Sequence, residues 1–71
     1  MTNYIGVTFQ NGKKEIFIFD KFYTYKNEHD AKINSMDFSF TRYEHSDGMK
    51  WRYFYRGNEV KITMIRTDRN L

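Results

Sequence analysis

With 71 residues the chain has room for one domain, because two would each fall below the roughly 40 residues that fold unaided. Leu and Ala occur once each (Leu71, Ala31) against 14 Phe, Tyr and Trp, which argues against a helical bundle and for pleated sheet. Cys is absent, which excludes disulfide frameworks, thiolate metal sites and cysteine nucleophiles.

No apolar run approaches the roughly 20 residues that cross a bilayer, and the opening Met1-Thr2-Asn3 lacks the basic-then-apolar order of a signal peptide. The expectation is a single domain over residues 1–71, cytoplasmic and without a membrane contact. Net charge is +3, from 12 Lys and Arg against 9 Asp and Glu. That balance permits a polyanionic partner without requiring one.

In chain order, residues 4–10 alternate as Tyr-Ile-Gly-Val-Thr-Phe-Gln, Asn11-Gly12 follows, and residues 13–20 carry Glu-Ile-Phe-Ile-Phe. Asn-Gly between two such runs predicts a hairpin with a two-residue type I′ turn. That turn sets Val7 opposite Ile16 and Ile5 opposite Ile18. Ile5, Val7, Phe9, Ile16 and Ile18 then share one face, and Tyr4, Thr8, Phe17 and Phe19 the other. A second strand that is apolar on both sides predicts a central place in the sheet, a covering layer or a subunit contact. Phe22-Tyr23-Thr24-Tyr25 reads as a third strand continuing this hairpin. Asn27, with Asp30 three residues on, offers an N-cap for a short helix over 28–34, an open loop being the alternative.

Residues 38–44, a turn at 45–48, residues 49–56, a turn at Gly57-Asn58 and residues 59–66 predict a three-stranded meander. Its facing parity is the same whether the first turn takes two residues or four. Phe38, Phe40, Trp51, Tyr53, Tyr55, Val60, Ile62 and Met64 form the core face, with Tyr53 opposite Ile62. Ser39, Thr41, Tyr43, Lys50, Arg52, Phe54, Arg56, Lys61, Thr63 and Ile65 form an exposed, basic face. Residues 67–71 read as a frayed tail. The fold class is mainly β: a small antiparallel curled sheet or partly open barrel, of SH3-like or OB-like size, with five to six short strands and at most one short helix. A helix laid across a single antiparallel sheet is the second architecture.

Gly6, Gly12, Gly48 and Gly57 are isolated, so no phosphate loop, dinucleotide fingerprint or nucleophile elbow is present. His29 lies between Glu28 and Asp30, and His45 near Glu44 and Asp47, but neighbours on a strand point to opposite faces and no second ligand stands at metal spacing. Both read as solvated turn residues. No catalytic residue, metal or cofactor is expected. The Trp51, Tyr53, Tyr55 stripe reads as core rather than ligand platform, because aromatics carry most of the burial a small domain obtains.

Lys50, Arg52 and Arg56 share a strand face with Phe54, with Lys61 on the next strand and Tyr43 nearby. Cations that track phosphates, together with rings on which bases stack, are the ingredients of single-strand recognition. The expected nucleic-acid-binding set is therefore Tyr43, Lys50, Arg52, Phe54, Arg56 and Lys61. The plainer reading is a solvated face whose charges guard against edge pairing. Phe17, Phe19, Phe22, Tyr23 and Tyr25 predict a protein interface, to a second copy or to a partner.

Three functions follow: a non-catalytic module for single-stranded nucleic acid, an inhibitor or adaptor that meets an acidic host protein, and a small ribonuclease-like toxin. The Lys, Asn, Ile, Phe and Tyr bias with scarce Ala is what AT-rich coding produces in small phage and mobile-element proteins. That compositional analogy favours an interaction protein over an enzyme.

Overall fold

A computed structural model describes residues 2–45 and 50–68. Six strands and one helix follow in the order β1 (Thr2–Thr8), β2 (Lys14–Phe19), β3 (Tyr23–Tyr25), α1 (Glu28–Asn34), β4 (Thr41–His45), β5 (Lys50–Tyr55) and β6 (Asn58–Asp68), with a 3-10 turn at Ser35–Asp37. They form one curled sheet, open at both edges, in the order β2-β1-β6-β5-β4-β3. The fold is mainly β, as expected. It is mixed rather than antiparallel, because β3 runs parallel to β4 at the far edge instead of extending the first hairpin. Thr67 and Asp68, expected in a frayed tail, belong to β6 and pair with Asn3 and Thr2; the rest of that tail and most of the turn expected at 45–48 lie outside the described residues.

The first hairpin departs from its expected register by one residue. Phe9 N–H donates to the Lys13 carbonyl at 2.8 Å and Gly12 N–H to the Phe9 carbonyl at 2.9 Å, so the loop holds residues 10–12. Gly12 sits at φ +88°, the left-handed bulge position of such a loop. Ile5 therefore faces Phe17, and Val7 faces Glu15. Because the side-chain period is two, the shift turns Phe17 and Phe19 to the inner face and leaves Ile16 and Ile18 outside, 68% and 71% exposed. The expected core roles of Ile16 and Ile18 are thereby corrected. Two phenylalanines bury more apolar area than two isoleucines, and here they join an aromatic cluster. Phe40 stacks on Tyr55 at 4.2 Å between ring centroids, and Phe17 meets both at 5.5 and 5.0 Å.

The meander keeps its expected parity. Its second turn is one residue earlier, at Arg56-Gly57, both with positive φ (54° and 79°). Tyr53 accordingly faces Val60 rather than Ile62. β6 pairs with β5 only over Asn58–Val60 and then with β1 from Lys61 onward. Opposite Gly6 and Val7 the register shifts by one residue, a β-bulge that takes up Thr63. A Cβ on Gly6 would lie 3.0 Å from Thr63 Oγ1 and 3.2 Å from Met64 Cβ, so glycine is what lets the strands close there. The bulge sets Met64 opposite Gly6, away from the core cluster expected to hold it, and Ile65 opposite Ile5, where it is 56% exposed, as expected of it. Phe38, also expected in the core, is exposed at φ 70°, just outside β4.

α1 forms where the capping signal predicts it. Asn27 Oδ1 accepts from Asp30 N–H at 2.8 Å, and Glu28 and Asp30 place negative charge in the first turn. The helix lies against the β4–β5 face opposite the aromatic cluster, with Ala31, Tyr43 and Phe54 buried together and Tyr25 beside them. Ala31 is the chain's one alanine, and it is fully buried where the helix meets the strands.

Two fully buried hydroxyls fasten this layer. Thr41 Oγ1 donates to the Ala31 carbonyl at 2.6 Å. Ser35 Oγ donates to the Lys32 carbonyl at 2.7 Å and accepts from Gly57 N–H at 2.9 Å, while the Ser35 carbonyl accepts from Arg56 N–H at 2.9 Å. Ser35→Ala should cost about 1–3 kcal/mol by stranding the buried Gly57 N–H. Thermal unfolding should show it as a drop of at least about 4 °C, whereas Gly12→Ala, with open space around its Cβ, should cost only about 1 kcal/mol.

Candidate functional site

The six residues of the expected nucleic-acid face do not stay together. α1 covers the middle of that face, so Tyr43 and Phe54 are 6% and 3% exposed and belong to the second core cluster. Phe54 is thus a packing residue, and no base can reach its ring. Arg56 sits in the β5–β6 turn with its guanidinium 5.1 Å from the Phe38 ring centroid. It contributes to a concavity of about 490 Å³ shared with the first hairpin loop, at the opposite end of β5 from Lys50.

Arg52 is committed within the molecule. Its Nε and Nη2 donate to the two carboxylate oxygens of Glu59 at 3.2 and 3.4 Å, and its Nη1 donates to Tyr43 Oη at 3.1 Å and to Glu28 Oε1 at 3.3 Å. Tyr43 Oη in turn donates to Glu28 Oε1 at 3.1 Å. This network joins α1, β4, β5 and β6 through one side chain. The hydrogen bond with Tyr43, then the negative charge of Glu59, hold the Arg52 proton more tightly than water does.

The expected protein interface is redistributed as well. Phe17, Phe19 and Phe22 turn inward onto the main cluster and Tyr25 packs on the second, while Tyr23 stays exposed. His29 Nδ1 lies 3.5 Å from Asp30 Oδ1 on the exposed face of α1, and the His45 ring is 6.1 Å from that of Tyr43. Among the described residues no three His, Asp or Glu side chains converge.

What the fold does bring together is a lip where β6 leaves β5. Below the Tyr53–Val60 pair the two strands separate around a cleft of about 380 Å³, lined by Trp51, Arg52 and Tyr53 of β5 and by Glu59, Lys61 and Ile62 of β6. Trp51, expected in the core, is 38% exposed at this rim. The Arg42 guanidinium lies 4.2 Å from the Trp51 ring centroid and 5.4 Å from that of Phe22, and Arg42 Nε donates to Thr24 Oγ1 at 3.0 Å. Lys50 adjoins Trp51 and Arg52 in a neighbouring depression. Among the described residues neither Lys50 nor Lys61 has an ion-pair partner.

Three of the six expected residues (Lys50, Arg52, Lys61) therefore border this lip, joined by Trp51 and Arg42, which the sequence reading left out. Arg42 alternates onto the Phe40 face, and a cation at the end of an aromatic face is the signal that this face opens to water there.

Charge reversal separates the roles of these cations. Arg52→Glu should lower the melting temperature by exposing Glu28 and Glu59 to a third negative charge, whereas Lys50→Glu, on an exposed side chain, should leave it unchanged; parallel thermal unfolding curves check both. No family model, curated protein or solved structure matches the chain.

Proposed function

We propose that the chain is a non-catalytic binding module that takes single-stranded nucleic acid across the Trp51 lip. The observation that carries this reading is the partly exposed Trp51 ring, stacked by Arg42, with Lys50 and Lys61 bordering the same lip from the other face of the sheet and without an ion pair among the described residues. A base stacks on the exposed indole, the two lysines meet phosphates on either side, and Arg42 supplies a third cation that also holds the ring in place. Recognition of this kind is tolerant of sequence, because every base has a π-face and phosphates carry no sequence information. Its partners are met in the cytoplasm, where we place the protein. Among the described residues no helix is long and apolar enough to cross a membrane.

A second reading, an inhibitor or adaptor directed at an acidic protein, is favoured by the isoleucines that the first hairpin leaves on the surface. The same lysines would serve it.

Trp51 is the chain's one tryptophan, so its emission should be quenched as a single-stranded oligonucleotide is titrated in at low salt. About three phosphate contacts give a slope of about −2 for the logarithm of affinity against the logarithm of salt. Trp51→Ala, followed by the anisotropy of a labelled oligonucleotide, should weaken binding by about 1–3 kcal/mol regardless of base identity. The proposal fails if no DNA or RNA, single- or double-stranded, moves the Trp51 emission at low salt. Nuclease-resistant capture of one protein from a cell lysate, lost in Lys50→Glu/Lys61→Glu, would replace it with the second reading.

A further inference from the structure

β2 ends the sheet, and its outer edge is unguarded. The Phe9–Lys13 pair is hydrogen-bonded, and the ladder alternates from there, so Glu15, Phe17 and Phe19 turn their backbone groups toward β1. Lys14, Ile16 and Ile18 turn their N–H and C=O groups outward, where no strand among the described residues meets them. Edge strands are ordinarily blunted by proline, by a bulge or by a charge in mid-strand. Lys14–Phe19 has its two charges at one end and Ile-Phe-Ile-Phe through the rest.

The segment is also close to self-complementary when reversed about Phe17. A two-fold axis normal to the sheet keeps the outer faces of two copies on the same side, so even-numbered residues meet even-numbered ones. Centred on Phe17, such a pairing sets Ile16 against Ile18 of the second copy and Lys14 against Asp20 of the second copy, each twice. Neither Lys14 nor Asp20 has an ion pair within the chain among the described residues. Moving the centre to Ile16 sets Lys14 against an isoleucine, and moving it to Ile18 sets Asp20 against one. Only the Phe17 register satisfies both charges while pairing all three outward-facing residues.

We propose that two copies of this chain pair β2 against β2, antiparallel and centred on Phe17, so that their six-stranded sheets run on as one. The occupant is a second copy because reversal of this edge supplies its own complement. The contact is small for a protein interface, so association should depend on concentration over the range of about 10 μM to 1 mM.

Sedimentation equilibrium of the intact chain should show the average mass rising toward twice that of the monomer across this range. Ile16→Lys/Ile18→Lys should hold the chain monomeric without altering its melting temperature, because both side chains are exposed. The register is read by mixing two single-cysteine chains, Ile16→Cys and Ile18→Cys, in a protein that contains no other cysteine. Facing Cα atoms in a hydrogen-bonded antiparallel pair lie about 5.5 Å apart, within disulfide reach, so on mild oxidation of an equimolar mixture the mixed disulfide should exceed each homodisulfide by well more than the twofold that random pairing gives. A monomer at 1 mM, a double-lysine variant that still dimerises, or a mixed disulfide no more than twice each homodisulfide would each overturn the proposal.

Discussion

The attachment of α1 to the sheet through two buried hydroxyls decides which surfaces this protein has. Ser35 and Thr41 are fully buried, and their hydroxyls tie the backbone of α1 to β4 and the 3-10 turn to α1 and to the β5–β6 turn. A helix of two turns has almost no stability alone, so its persistence depends on these contacts and on the ring surface beneath it. Tyr43 and Phe54 supply that surface. In doing so they leave the pool of residues available to a ligand.

Covering one face of β4 and β5 has a further effect on charge. The cations of that face cannot point straight out, and Arg52 is drawn sideways into Glu28, Glu59 and Tyr43, where it works as a clasp between helix and strands. Lys50 and Lys61, beyond the reach of α1, have no ion pair among the described residues. The opposite face closes over the aromatic cluster near Tyr55 and opens where β6 turns away to meet β1. Both effects concentrate uncommitted cations and exposed aromatic surface at the same lip.

Much of this was legible in the sequence, and the rest was hidden for identifiable reasons. Alternation and turn residues located every strand, and Asn27 with Asp30 located the helix from Glu28 to Asn34. The parity of the meander survived its shifted turn because the shift moved both partners together. The first hairpin did not survive, since Asn11-Gly12 is equally at home in a two-residue and a three-residue loop and only the aromatic core chooses between them. The bulge at Thr63 left no local mark beyond Gly6, more than fifty residues away. Of the candidate site, Lys50, Arg52 and Lys61 were found because alternation placed them. Tyr43 and Phe54 were misplaced because no pattern in a strand reveals that a short helix will lie across it.

The division of β6 between two partners bears on how the chain reaches this structure. Its first residues pair with β5 across a two-residue turn, which closes quickly, but its remaining length pairs with β1, as far apart in sequence as Thr2 and Asp68. Closing so long a loop carries an entropic cost before any of its contacts are gained, and domains dominated by such pairings fold in milliseconds to seconds rather than microseconds. Until that event both the β1 edge and the β6 edge stand open together with the Ile-Phe-Ile-Phe strand. The slow step of folding and the interval of greatest vulnerability to aggregation are therefore one and the same, and both end when a single strand finds its second neighbour.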